Sequence, residues 1–136
     1  AMLWIAANTG WSQEATLPEV VVESPRVIKN MSKVHENVDV GALYEDESNR
    51  IWLSSRVDIN TVQGKATLVH ELVHYLQDEY PLRSYHCKQR KEFEAFKIQE
   101  KYMEANGVES NLDWYWIRVI SRCPPLWAPG SGQVKK

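Results

Sequence analysis

Cysteine is nearly absent from this chain of 136 residues: there are two, Cys87 and Cys123. Neither belongs to a Cys-x-x-Cys pair, which argues against a thiolate zinc ribbon or a thioredoxin-type redox centre. Their expected use is one disulfide, which points to a periplasmic or secreted setting. Long hydrophobic runs are missing as well. No stretch approaches the roughly 20 apolar residues that cross a bilayer, so no membrane span is expected. Nor is there an excess of one charge. The 16 Lys and Arg are interspersed with 18 Asp and Glu for a net charge of -2. Such a surface offers no electrostatic footprint for nucleic acid or an anionic membrane. The opening "AMLWIAANTGWSQ" lacks the basic and long apolar parts of a signal peptide. Because Ala1 precedes Met2, the expectation is that the natural N-terminus has been trimmed and an export signal lost with it.

At roughly 100–200 residues per domain, this length predicts one domain with one modest core. Residues 1–123 are expected to form it and 124–136, Pro- and Gly-rich, to be an irregular tail. "LWIAANTGW" reads as a short helix and "TLPEVVVES" as a first strand. Ser24-Pro25 starts a helix in which Val27, Ile28, Met31 and Val34 recur at helical spacing. Strands around 42–44 and 51–54 flank the turn-rich "EDESN" and form a hairpin. Asn60 or Thr61 caps a largely buried helix bearing Leu68, Val69, Leu72, Val73 and Leu76, which ends near Glu79 ahead of Pro81. A further helix spans about 88–105 and stops at Asn106-Gly107. The aromatic "LDWYWIRVI" then packs over the core. The class is α+β, with no internal repeat or interdomain linker.

What the chain does have is "HELVH" at 70–74. On a helix His70 and His74 lie one turn apart on the same face and can present ring nitrogens to one point. Zn2+ at a catalytic site takes three protein ligands and leaves a vertex for water, and Glu71 then stands where a general base is needed. Left without such a partner, two histidines and a carboxylate are costly in a mostly apolar helix. The pattern with a third histidine after a glycine fails, because Gln77 and Tyr80 occupy those places. A downstream carboxylate is the next candidate, either Glu92 or Glu94. At about 100° per residue, Phe93, Ala95, Phe96, Ile98, Tyr102 and Met103 form an apolar arc centred near Glu92, with Gln99 beside it. Glu94 falls opposite, among Lys97, Lys101 and Glu104, as an ordinary solvated residue. Glu92 is therefore the expected third ligand. His86 is a competing ligand or an exposed loop histidine.

The residues "HELVH" and "EFEAF" resemble the gluzincin branch of zincin zinc metallopeptidases, and the order of hairpin, active-site helix and glutamate helix is similar to small uncharacterised bacterial domains of this type. Aligning on the alanine of Glu-x-x-Ala also puts Glu92 at the ligand place. The resemblance implies a minimal zincin-like fold, a small sheet with a hairpin packed on the active-site helix and on the glutamate-bearing helix. Phe96 departs from it, since related chains carry a polar residue there. The outer-shell role would then pass to Asp78, Gln99 or a backbone carbonyl.

The implied reaction is endopeptidase hydrolysis of a peptide or protein substrate, with a zinc-activated water and Glu71 accepting and returning the proton. Tyr85, His86, Tyr115 and Arg118 are candidates for stabilising the oxyanion. A substrate adding as an extra strand along "RIWLSS" is the expected docking mode. Two rivals remain open. One is a zinc-stabilised, non-catalytic binding or regulatory domain with a degenerate peptidase fold. The other is a recognition module using "WYWIRVI" and Trp127.

Overall fold

A computed structural model of the chain describes residues 1–32 and 41–124. Five helices and three strands follow one another there: α1 (Met2–Asn8), β1 (Glu19–Glu23), α2 (Pro25–Ser32), β2 (Ala42–Glu45), β3 (Arg50–Ser54), α3 (Val62–Glu79), α4 (Gln89–Ala105) and α5 (Trp114–Ile120). The class is α+β, and no helix among the described residues is long and apolar enough to cross a membrane. Val34 of the expected second helix, and Trp127 with 125–136 of the expected tail, lie outside the described residues.

The ends of these elements follow local chemistry. Ser24 Oγ accepts from the Val27 amide at 3.3 Å and Pro25 opens α2, as expected of a capped helix start. Of the two cap candidates for α3 it is Thr61 whose hydroxyl accepts from Gly64 N, at 3.0 Å. Gly64 also permits a tight approach, since a Cβ there would lie 1.9 Å from the Asp58 carbonyl oxygen. Past α4, Gly107 takes φ 76°, and Val108 N bonds back to Met103 O at 2.9 Å. A left-handed glycine closing a helix in this way satisfies its last carbonyls.

The sheet has the order β1-β3-β2, with β1 parallel and β2 antiparallel to β3. This corrects the expectation that "RIWLSS" is a free edge. β3 is the central strand, hydrogen-bonded on both sides, because β1 adds to it from 31 residues away (Glu19 against Arg50). A hairpin is readable from adjacent residues, whereas a remote parallel partner leaves no local mark. Among the described residues β2 pairs with β3 alone.

The core gathers Ile51 from β3, Val69, Leu72, Val73 and Leu76 from α3, and Ala95, Tyr102 and Met103 from α4, with Ile5 and Trp11 closing one end. Trp11 Nε1 donates to Tyr80 O at 2.8 Å, and Tyr75 hydroxyl to Thr16 O at 2.6 Å, so the N-terminal segment is strapped to the end of α3. α3 packs chiefly on α4. His70 meets Gln99 while Gln77 meets Lys91, so the two helices run antiparallel. α5 covers the core on one face only: Ile117 is buried and Trp114 packs on Phe93, but Tyr115 is 81% and Trp116 51% exposed. A helix of seven residues has one inward stripe, so the aromatic segment packs over the core through that stripe and leaves Tyr115 outside it.

Cys87, just before α4, is bonded to Cys123, just after α5, across 36 residues. Closing a loop of this size stabilises the fold by about 3–4 kcal/mol through unfolded-state entropy. Replacing both cysteines by serine is expected to lower the urea-unfolding free energy by about that amount. A change under about 1 kcal/mol would show that the bridge is not constraining the unfolded chain.

Candidate metal centre

His70, His74 and Gln77 stand at i, i+4 and i+7 on α3, hence on one face. Opposite them Glu92 and Gln99, seven apart on α4, form the matching stripe. The structure brings His70, His74 and Glu92 together with one ligand atom from each within 4.8 Å of the others. Glu92 Oε1 lies 3.1 Å from His70 Nε2 and Oε2 lies 3.2 Å from His74 Nε2. Glu92 thus meets the two histidines as expected, although its side chain, 41% exposed, is less buried than that of Glu94.

The other nitrogen of each ring is taken. His70 Nδ1 meets Gln99 Oε1 at 2.9 Å, and His74 Nδ1 meets Gln77 Oε1 at 2.9 Å. An amide oxygen only accepts, so both Nδ1 atoms carry hydrogen, and Nε2 is the nitrogen that each ring turns to Glu92. His74 Nε2 is buried, and its approach to Glu92 lacks hydrogen-bond alignment, leaving it without a partner. A buried nitrogen left so costs about 1–3 kcal/mol, which a bound cation would remove. Two imidazoles and a carboxylate are the donor set zinc takes at catalytic sites, and the residues fit that ion.

Phe96, the departure from the gluzincin pattern, packs its ring on His70 with centroids 4.4 Å apart. Gln99, one turn later, supplies the polar contact instead. Asp78 does not serve the imidazoles; it accepts from the Tyr44 hydroxyl at 2.9 Å. The Asn49 amide nitrogen reaches that hydroxyl and Glu79 Oε2, both at 3.0 Å, tying the hairpin turn to the end of α3. Burial, then Asp78, holds the Tyr44 hydroxyl well above the usual tyrosine range.

A cleft of about 580 Å³ opens over the centre, bordered by Ala42, Leu43 and Tyr44 of β2, by Glu71, and by Lys88 and Lys91. None of the expected oxyanion donors borders it. The Tyr85 hydroxyl donates to Glu94 and is pushed up to about 12, by burial first and then by Glu94. His86 and Tyr115 are exposed, His86 stands outside the donor cluster, and Arg118 lies over the Trp114 ring. Glu94 is a further correction. It is 21% exposed, pairs with Arg83, and accepts from Gln77 Nε2 at 2.9 Å. A helical wheel sees only its own helix, and these partners come from α3 and from the loop before α4.

A family model described as a domain of unknown function, DUF6647, matches residues 2–127. The chain belongs to the DUF6647 family. No curated protein and no solved structure matches it significantly.

What sequence reasoning missed in this DUF6647 chain is Gln77, the amide that holds His74. Its signal was an amide three residues past a candidate ligand, on the helix face that carries both histidines.

The electrostatics of this DUF6647 centre give its pH behaviour. Burial pulls the His74 pKa down, but contact with Glu92, its charge, and then Glu71 and Gln77 outweigh this and raise it to about 9. Burial pushes Glu92 up, yet the two histidines beside it hold it well below the usual carboxylate range. Without metal, the His74 contribution to stability is complete below the unfolded histidine pKa of about 6.5. It is lost as pH rises through about 9. The Glu92 contribution is present above about 4.5 and lost as pH falls. Since zinc needs a free Nε2, binding at pH 7 is expected to release about one proton. Calorimetry in buffers of different ionisation heat reads this number. No proton release at pH 7 would contradict the charged state assigned to His74.

Proposed function

We propose that the chain is a zinc-dependent metalloendopeptidase of minimal gluzincin type, with His70, His74 and Glu92 holding Zn2+ and Glu71 as general base. One observation carries the reading: two Nε2 atoms and a carboxylate converge, with each Nδ1 capped by a glutamine oxygen, on the wall of a cleft that also presents Glu71. Zinc, when bound, supplies the Lewis acidity that makes water a nucleophile near neutral pH.

The remaining roles belong to the chain. Glu71, half-buried, takes a proton from the attacking water and hands it to the leaving amine. β2 borders the cleft with an edge unpaired among the described residues, and an extended peptide can add there through backbone hydrogen bonds. This transfers the expected docking edge from "RIWLSS" to residues 42–45. Lys88 and Lys91 are the cationic side chains on the cleft and favour negative charge developing at the scissile carbonyl. The cluster among the described residues has three donors, whereas a folding staple closes zinc with four. That supports turnover over a purely structural site. The disulfide is compatible with a periplasmic or secreted location, which we include in the proposal.

Glu71→Gln is expected to keep stoichiometric zinc and lose mixed-peptide cleavage by at least about 100-fold. His70→Ala, His74→Ala and Glu92→Ala should each lose both. Cleavage surviving in chelated wild type, or undiminished in Glu71→Gln, would remove the peptidase reading.

A further inference from the structure

A second polar assembly, behind the three donors, is centred on Glu94. Its carboxylate receives Gln77 Nε2 at 2.9 Å, the Tyr85 hydroxyl and the Arg83 guanidinium. Gln77 is 3% exposed, and its amide nitrogen has two acceptors, Glu94 Oε1 and the Lys91 carbonyl at 3.0 Å. Both amide protons are thereby used. The amide cannot turn over without aiming its oxygen at two oxygens and its protons at a donor. Oε1 is therefore held toward His74 Nδ1, 2.9 Å away, and an accepting oxygen there requires hydrogen on Nδ1.

We propose that Glu94 is a positioning residue for the zinc site: acting through Gln77, it locks His74 in the form with hydrogen on Nδ1 and so keeps the Nε2 lone pair on the metal side. The inference rests on the zinc reading above. Glu94 is the charged end of the chain of contacts, and a hydrogen bond to a carboxylate is roughly twice as strong as one to a neutral carbonyl. Without it, only the Lys91 carbonyl keeps the amide in place. His70 is arranged differently: Gln99 supplies its oxygen, and among the described residues no charged group holds Gln99 in turn. The two imidazoles are thus unequally secured.

Outer-shell partners of this kind are worth about 10–100-fold in metal affinity. Glu94 also fastens Arg83 and Tyr85, so a loop-anchoring role must be separated from the relay. Two readouts do this on the full chain: the zinc dissociation constant by chelator competition, and the solvent exchange of the His74 Nδ1 proton in zinc-loaded protein by NMR. Glu94→Ala is expected to weaken zinc by about 10–100-fold and to accelerate that exchange. Glu94→Gln, whose oxygen still accepts from Gln77 but without the charge, should restore part of both. Arg83→Ala, which loosens the loop and leaves the Gln77 contact, should stay near wild type. Gln77→Ala, which spares the loop contacts, should reproduce the loss and keeps the test intact if Glu94→Ala does not fold. Wild-type affinity and proton exchange in both Glu94→Ala and Gln77→Ala, or an equal loss in Arg83→Ala, overturns the relay while the zinc site stands. Wild-type protein that binds no zinc overturns both.

Discussion

The contact on which the structure turns is the meeting of two imidazole nitrogens with one carboxylate between α3 and α4. The buried polar side chains of the α3–α4 interface, His70 and Gln77, are arranged around it. His70 is 7% exposed and lies in a helix face that includes Val69, Leu72, Val73 and Leu76, all buried. Polar groups in such surroundings are tolerated when every donor and acceptor has a destination. Here each Nδ1 has a glutamine oxygen, and Glu92 faces both Nε2 atoms. The one buried ring nitrogen left over among the described residues, on His74, belongs to the donor cluster that a cation would fill.

The rest of the fold serves to hold the two helices in that register. The sheet backs α3 through Ile51 and through the edge-to-face packing of Tyr44 on Tyr75. The N-terminal segment straps the end of α3 through Trp11 and Thr16, and the disulfide fixes the start of α4. With so small a core, these ties take the part that additional layers play in larger domains. They also leave one side open, where β2 and the N-terminal part of α4 border the cleft.

Much of this was legible in the sequence, and the reason is periodicity. The five-residue "HELVH" carries its own geometry, because spacing by four on a helix means one face. Glu92 could be picked over Glu94 by the same reasoning, since its arc of apolar neighbours implied the side of α4 that meets α3, although its carboxylate stays more exposed than that of Glu94. The helix ends at Thr61 and Gly107 followed from cap chemistry. What escaped were relations between elements distant in sequence. The parallel pairing of β1 with β3 displaced the supposed edge, and the loop residues Arg83 and Tyr85 turned Glu94 from a solvated residue into an anchor. Nothing in a single helix pattern encodes a partner that arrives from a loop or another strand. The oxyanion candidates failed for the same cause, having been chosen by residue type without knowledge of which side chains border the cleft.

The central claim is that one cation binds where His70 Nε2, His74 Nε2 and Glu92 converge, leaving a position open to solvent. Anomalous diffraction at the zinc edge from zinc-soaked crystals tests it most directly. The account predicts one strong peak about 2.0–2.2 Å from all three donors, with no fourth protein ligand. A peak elsewhere, a fourth protein donor on the ion, or no peak at these residues at saturating zinc would contradict it.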